Sequence, residues 1–332
     1  MNLRFVILLL VILASGCATG SGGVLPPDDP DKVSYVGDYV AVVVQPGDSL
    51  ASLAARYLHD SSRDWVIAEF NNLSDIASGD EIIIPLKPFK RGGLAPDRYQ
   101  TVTVLSYHHF AEKSTDRMIV SQESFDAQMR LLKEKGYRVI TLDQLFDFMD
   151  FTGDVPEKSV VITIDDGWRS TYDIAFPILK KYGFTATLFL YTQLITGGSK
   201  TLSWDQVREM ADQGLDIQGH TISHRNLGQQ NSGESLEAYY IALERELAEP
   251  ARIIEQKIGR KIRYLAYPYG DTNSLVIALI KKLGYRGAFT VVRDGNPFFL
   301  SNYRLNRAMI YGDADLARFE KNLGTSNRKA LR

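Results

Sequence analysis

From Thr101 onward, short apolar runs alternate with amphipathic stretches, and this alternation narrows the fold more than any other feature of the chain. Strands are predicted at 101–107, 138–140, 159–164, 186–190, 215–218, 264–267, 286–290 and 304–310. Helices lie between them. Ser121 is suited to cap one that ends at Gly136, and Thr141-x-x-Gln144 and Ser203-x-x-Gln206 are capping boxes that open two others. A long helix is expected over 234–258, kinked at Pro250. Apolar strands separated by helices imply an α/β fold, a parallel sheet or barrel covered by helices. Apolar residues make up 45% of the 332, enough to fill such a core. Reactive groups in these folds gather at the carboxyl ends of the strands. The positions to inspect are therefore Tyr107-His108, Asp165-Asp166, His220 and 267–270.

Asp165 and Asp166 end the apolar strand predicted at 159–164. Two adjacent carboxylates there are costly to desolvate unless they bind something. The next polar strand end is His220-Thr221-Ile222-Ser223-His224. Imidazoles at i and i+4 share one face of a helical turn, an arrangement suited to a metal. With one carboxylate they form a His-His-Asp set that leaves positions open for water and substrate.

Three segments resemble, in order and spacing, the first three motifs of the polysaccharide deacetylases (NodB-homology, carbohydrate esterase family 4). They are "TIDDGWRSTYDIAFPILKKYGFTATLFL", "LSWDQVREMADQGLDIQGHTISHRNL" and "LAYPYGDTN". The likeness runs from about 158 to 290, and more loosely over 101–310. It implies a distorted (β/α) barrel, Asp165 as general base, and Asp166, His220 and His224 as ligands of zinc or a similar divalent ion (nickel, cobalt or iron). It also assigns the oxyanion-facing amide to Tyr269. The roles make chemical sense. An amide carbonyl is a poor electrophile and water a poor nucleophile, so a metal ion and a carboxylate base are both needed, and the oxyanion needs an N–H donor.

The sequence departs from that family in two places. Ala266 stands where the third motif usually carries an arginine that steadies the base; Arg304 or Arg307 is a candidate replacement. No histidine follows His224, so the family's late histidine is missing. Val104-Leu105-Ser106-Tyr107-His108 resembles that late motif moved to the start of the domain, as in permuted deacetylases of biofilm poly-N-acetylglucosamine systems. On this reading His108 is the general acid, and His109 faces the loop or the barrel exterior. Trp168, Tyr267, Pro268 and Arg307 are candidate substrate contacts. Tyr191 and Trp204 are further aromatic candidates, with core packing favoured for Trp204.

The N-terminal third is organised differently. Residues 39–86 read as strand, helix, helix, strand, with a Gln45-Pro46-Gly47-Asp48 turn before the first helix and a second helix over 63–70. This βααβ segment resembles a LysM module along its full length, which implies binding to N-acetylglucosamine-containing glycans. Residues 87–100 read as a linker, and 101–320 as the deacetylase domain. Residues 1–16 have a basic start, an apolar core and small residues before Cys17, the pattern of a secretory signal. Leu13 to Cys17 resembles a bacterial lipobox, so Cys17 is the expected lipidation site and 17–38 a flexible tether. Ala18 after the cysteine implies the outer membrane, with the protein lipid-anchored in the cell envelope and facing the periplasm. A single cysteine excludes an intrachain disulfide, and a net charge of −2 gives no basis for nucleic-acid binding.

The expected activity is metal-dependent N-deacetylation of a GlcNAc polymer, either peptidoglycan or exported poly-N-acetylglucosamine. Two alternatives compete with it. One is an inactive glycan-binding lipoprotein; the other is an esterase removing O-acetyl groups.

Overall fold

The computed structural model describes residues 33–327. The expected signal peptide, Cys17 and most of the expected tether lie outside the described residues. The chain divides into two compact units, one ending at Leu86 and the other beginning at Lys87.

The first unit holds strands β1 (Val33–Val36), β2 (Tyr39–Val43) and β3 (Glu81–Pro85) in an antiparallel sheet of order β1-β2-β3. Helices α1 (Leu50–Leu58) and α2 (Asp64–Phe70) sit between β2 and β3 in sequence. Val40, Val42, Ile82 and Ile84 alternate inward and meet Leu53, Ala54, Val66 and Ile67, all buried. Ser49 caps α1, accepting from the Ser52 N–H at 3.1 Å. Asn71 ties the end of α2 to β3: its side chain donates to the Ile67 and Ile83 carbonyls and accepts from the Ile83 N–H. One expectation needs correction. Residues 33–36 are not tether but a strand, a β-branched and aromatic segment folded back onto β2 by a two-residue turn in which Gly37 takes φ +60°. The Gly- and Pro-rich stretch just before it conceals this from a compositional reading.

The second unit begins with β4 (Leu94–Ala95) and β5 (Arg98–Gln100), a hairpin completed by β16 (Ser326–Asn327). The linker expected over 87–100 is therefore part of this unit. The Phe89 and Lys90 N–H groups donate to Asp154, and the buried Gln100 donates to the Pro156 carbonyl. The far boundary moves likewise, from 320 to at least Asn327.

The main sheet is parallel throughout. Its order is β14 (Gly287–Phe289), β13 (Tyr264–Ala266), β12 (Asp216–Gly219), β11 (Thr187–Leu190), β10 (Ser159–Asp166), β6 (Thr103–Tyr107), β15 (Ala308–Met309), with β9 (Arg138–Val139) also on β10. Each pairing matches a strand predicted from apolar runs. Residues 302–307 hydrogen-bond to the β14 side, as in Thr290 N–H to Leu305 O and Arg307 N–H to Val292 O. The chain then enters β15 beside β6, which joins the two ends of the curled sheet into a barrel. A separate short pair is formed by β7 (His109–Ala111) and β8 (Ile119–Ser121).

Alternation along each strand sorts side chains to two faces. On β10, Val160, Ile162 and Ile164 pack outward against α3 (Gln122–Glu134) and α5 (Phe176–Tyr182), through Phe125, Met129, Ile178 and Leu179. Val161 instead packs with Val104, Phe189, Tyr264 and Phe289 in the interior. Phe146 of α4 (Leu142–Met149) joins that interior cluster. On other outer faces, β11 and β12 meet α6 (Trp204–Asp212), and β13 and β14 meet α7 (Leu236–Ile258) and α8 (Ser274–Lys282). The α7 helix continues through the buried Pro250. A last short helix, α9 (Leu316–Glu320), precedes β16. All three sequence-predicted caps form: Ser121, Thr141 and Ser203 each accept the expected N–H.

Candidate metal centre

The alternation that buries Val161 also places Thr163 and Asp165 on the inner face of β10. Asp165 is 1% exposed. Asp166 should then point outward, but its φ of +80° breaks the alternation and turns it towards the same mouth. Gly167 follows at φ +119°, a conformation strained for any side chain, and a Cβ there would lie 2.5 Å from Ile195 Cδ1 and force it to shift.

Arg307, on the segment that closes the barrel, reaches Asp165 from across the interior. Its Nη1 donates to Asp165 Oδ1 at 2.7 Å, and its Nε donates to the Thr290 carbonyl at 3.0 Å. Burial alone would raise the Asp165 pKa, but the Arg307 charge, with His220 and His108, overrides it and holds the carboxyl at about 2. Arg307 thus stands where the missing arginine at Ala266 would act. Arg307 is itself buried, yet it also lines the pocket over these groups.

His220 directly follows β12 and is 1% exposed. Its Nδ1 lies 2.7 Å from the Ala266 carbonyl, which can only accept, so Nδ1 carries the proton and Nε2 is left as a lone pair. Burial lowers the His220 pKa against the pull of both aspartates, which keeps the ring neutral as a ligand must be. His224 joins it by a route the spacing did not foretell. Residues 220–224 are not helical. Thr221 and His224 have φ of +75° and +63°, and the Thr221 hydroxyl accepts the His224 N–H at 3.0 Å. From α7, Glu246 accepts the N–H groups of Ile222 and Ser223 and the Ser223 hydroxyl. Nothing in the sequence singles out Glu246; it is one acid among several on an amphipathic helix.

The Nε2 atoms of His220 and His224 lie 3.7 and 3.5 Å from Asp166 Oδ1. These separations are too long for hydrogen bonds and close to the roughly 3.3 Å between ligand atoms around a tetrahedral zinc. Asp166 Oδ1 is buried and has no hydrogen-bond donor among the described residues. A buried carboxylate oxygen facing two imidazole nitrogens is what a divalent cation satisfies, so the residues fit a metal site.

A pocket of about 600 Å³ opens over these groups, with Met118, Ile119, Val291 and Met309 among its apolar walls. His108 lines it, with Nε2 3.8 Å from Asp165 Oδ2. His109 also lines it, contrary to the expectation that it faces away: its ring stacks on Trp168 at 5.3 Å. Burial, and then Lys200, keep its pKa below the usual value while Asp166 pulls it up. Strand alternation fails as a guide here because the chain leaves β6 at His108 and starts a new pairing in β7.

Tyr269 is 66% exposed, and its ring meets His224 edge-on at 4.8 Å. It too has positive φ, +61°. The neighbouring Tyr267 and Gly270 N–H groups donate to Phe289 and Tyr267 carbonyls, whereas no carbonyl among the described residues takes the Tyr269 N–H. Tyr267 presents only its ring to the pocket, since it is fully buried and its hydroxyl donates to the Tyr303 carbonyl. Pro268 is not among the lining residues, nor are Tyr191 and Trp204. Tyr191 packs on His224 instead, and Trp204 packs against the helical layer around α6. Trp168 lines the pocket, and its indole donates to Asp166 Oδ2 at 2.9 Å.

Residues 152–288 match the family described as polysaccharide deacetylase, and residues 42–85 match the LysM domain. A poly-β-1,6-N-acetyl-D-glucosamine N-deacetylase of Staphylococcus epidermidis is 31% identical over 200 residues, spanning 59% of this chain and 69% of its own. Its namesake in Staphylococcus aureus is 28% identical over 213 residues, 63% of this chain and 73% of that one. Among solved structures, the Streptococcus pyogenes deacetylase PplD in complex with acetate superposes with a TM-score of 0.61 at 24% identity, over 68% of this chain and 98% of PplD. IcaB from Ammonifex degensii gives 0.56 at 26% identity, over 64% and 92%.

Proposed function

The chain belongs to the polysaccharide deacetylase family, and we propose that it hydrolyses N-acetyl groups on a polymer of N-acetylglucosamine, with zinc as the bound ion. The observation that carries this reading is the division of labour between adjacent carboxylates. Asp165 is held ionised by Arg307, while Asp166 directs an oxygen with no donor among the described residues at the Nε2 atoms of His220 and His224. Asp166, His220 and His224 would hold the ion. When bound, it supplies a Lewis acid that polarises the acetyl carbonyl and acidifies water. Asp165 accepts the proton from the attacking water. The Tyr269 N–H faces the oxygen on which negative charge develops. His108, beside Asp165, returns a proton to the departing amine.

The arginine absent at position 266 favoured an inactive glycan-binding reading; a guanidinium on Asp165 from Arg307 supports the enzyme instead. The S. epidermidis and S. aureus relatives support an amino-sugar polymer as substrate, and the LysM module supports retention on the same class of glycan. Acetate release from poly-N-acetylglucosamine and from peptidoglycan, with and without chelator, tests the activity. Chelator-sensitive release from at least one of them is expected. Asp165→Asn should retain zinc and lose turnover, whereas Asp166→Ala should lose zinc; a metal-free Asp165→Asn protein would refute the division between the two aspartates.

We further propose a lipid anchor at Cys17, in the outer membrane. No described helix is long and apolar enough to cross a membrane. Cys17→Ser is expected to move the protein from the membrane to the soluble fraction on cell fractionation.

A further inference from the structure

Asp166 has two carboxylate oxygens in different circumstances. Oδ1 faces the imidazoles and has no donor among the described residues; Oδ2 accepts from Trp168 Nε1 at 2.9 Å. An indole N–H can only donate, so its partner must be the carboxylate. The indole is itself fixed. Its ring stacks on His109 at 5.3 Å with 28° between planes, and its backbone pairs with Thr201. The two-residue reach from Asp166 back to its own side chain depends on the left-handed Asp166 and on Gly167.

We propose that Trp168 is a positioning residue for the metal ligand: it holds Asp166 as a one-oxygen ligand, with Oδ1 turned to the ion and Oδ2 occupied. This rests on the metal-binding reading above. An unrestrained carboxylate can rotate or offer both oxygens, and ordering it on binding costs affinity. Removing an outer partner of a ligand typically weakens metal binding roughly 10- to 100-fold. His109 acts one step further out, by holding the indole plane.

The test is zinc affinity of the full-length, metal-free protein, measured by competition with a chelating dye. Trp168→Phe keeps a ring for His109 to stack on and deletes the N–H, so its Kd for zinc should rise about 10- to 100-fold. An unchanged Kd overturns the inference and leaves the metal site standing, whereas a wild-type protein that binds no zinc overturns the metal reading itself. A second readout does not depend on how Trp168→Phe folds. The chain has three tryptophans, so Trp65→Phe with Trp204→Phe leaves Trp168 as the sole indole emitter. Zinc should change its emission, because neutralising the carboxylate weakens the bond to the indole N–H. Emission that does not respond to saturating zinc overturns the inference.

Discussion

Arg307 and Asp165 have side chains that are each 1% exposed, so neither charge has water as an alternative partner. Removing one member of such a pair costs about 3–5 kcal/mol. Arg307→Met should therefore lower Tm by roughly 6–20 °C for a unit of this size, as measured by thermal unfolding. The folded pKa of Asp165 is depressed to about 2. The stability it contributes is therefore present above its unfolded value of ~3.9 and is lost as pH falls through the folded value. The gap in stability between wild type and Arg307→Met should be full above about pH 4 and close towards pH 2; a gap independent of pH would mean the contact is packing alone. His108 gives a second prediction. On its proposed role as general acid, His108→Ala should reduce kcat roughly 100- to 10,000-fold with the metal retained. His109→Ala, which removes only the stack on Trp168, should lose far less turnover and show its effect in zinc affinity. A reversed order in kcat would move the acid to His109.

The loop between β12 and α7 shows how an element can be held in a conformation its residues disfavour. Four of the seven non-glycine residues with positive φ among those described are Asp166, Thr221, His224 and Tyr269. Such geometry costs of order 1–3 kcal/mol per residue and persists only where the surroundings over-determine it. Glu246 is the restraint on the histidine loop, with three hydrogen bonds of 2.7–3.0 Å. Glu246→Ala should destabilise the fold by about 1.5–3 kcal/mol and loosen zinc binding; calorimetry with and without zinc reads both. The strands, the caps and the cluster of Asp165, Asp166 and His220 were legible in the sequence, because alternation and capping are local patterns. The convergence of His224 was legible only as a spacing. Its helical interpretation failed, since left-handed φ at Thr221 leaves no mark in composition. Arg307 was visible as one of two candidates, and the choice depended on a contact across 142 positions that no local rule reaches.

For the molecule as a whole, the boundary between units decides what a shortened chain can do. A protein starting at Lys87 should keep near-native turnover on short soluble oligomers and bind insoluble glycan more weakly, on the proposal that the LysM module holds the enzyme on glycan. A protein starting at 101, the boundary that composition suggests, should unfold at lower temperature. It lacks β4, β5 and the Gln100 bond to Pro156. Comparing Tm of the two truncations checks this, and equal values would return 87–100 to the status of a linker.

Barrel closure also sets an order in time. His108 directly follows the first strand of the barrel and Arg307 comes from the segment that seals it, and Thr103 bonds to a carbonyl 219 positions later. At ~5–20 residues per second, a ribosome needs on the order of 10–40 s to pass from His108 to Arg307. The small first unit and seven of the barrel strands emerge before the guanidinium that charges the base. A nascent chain therefore carries the proposed ion ligands well before the arginine that charges the proposed base, and chemical competence waits for the segment that closes the barrel.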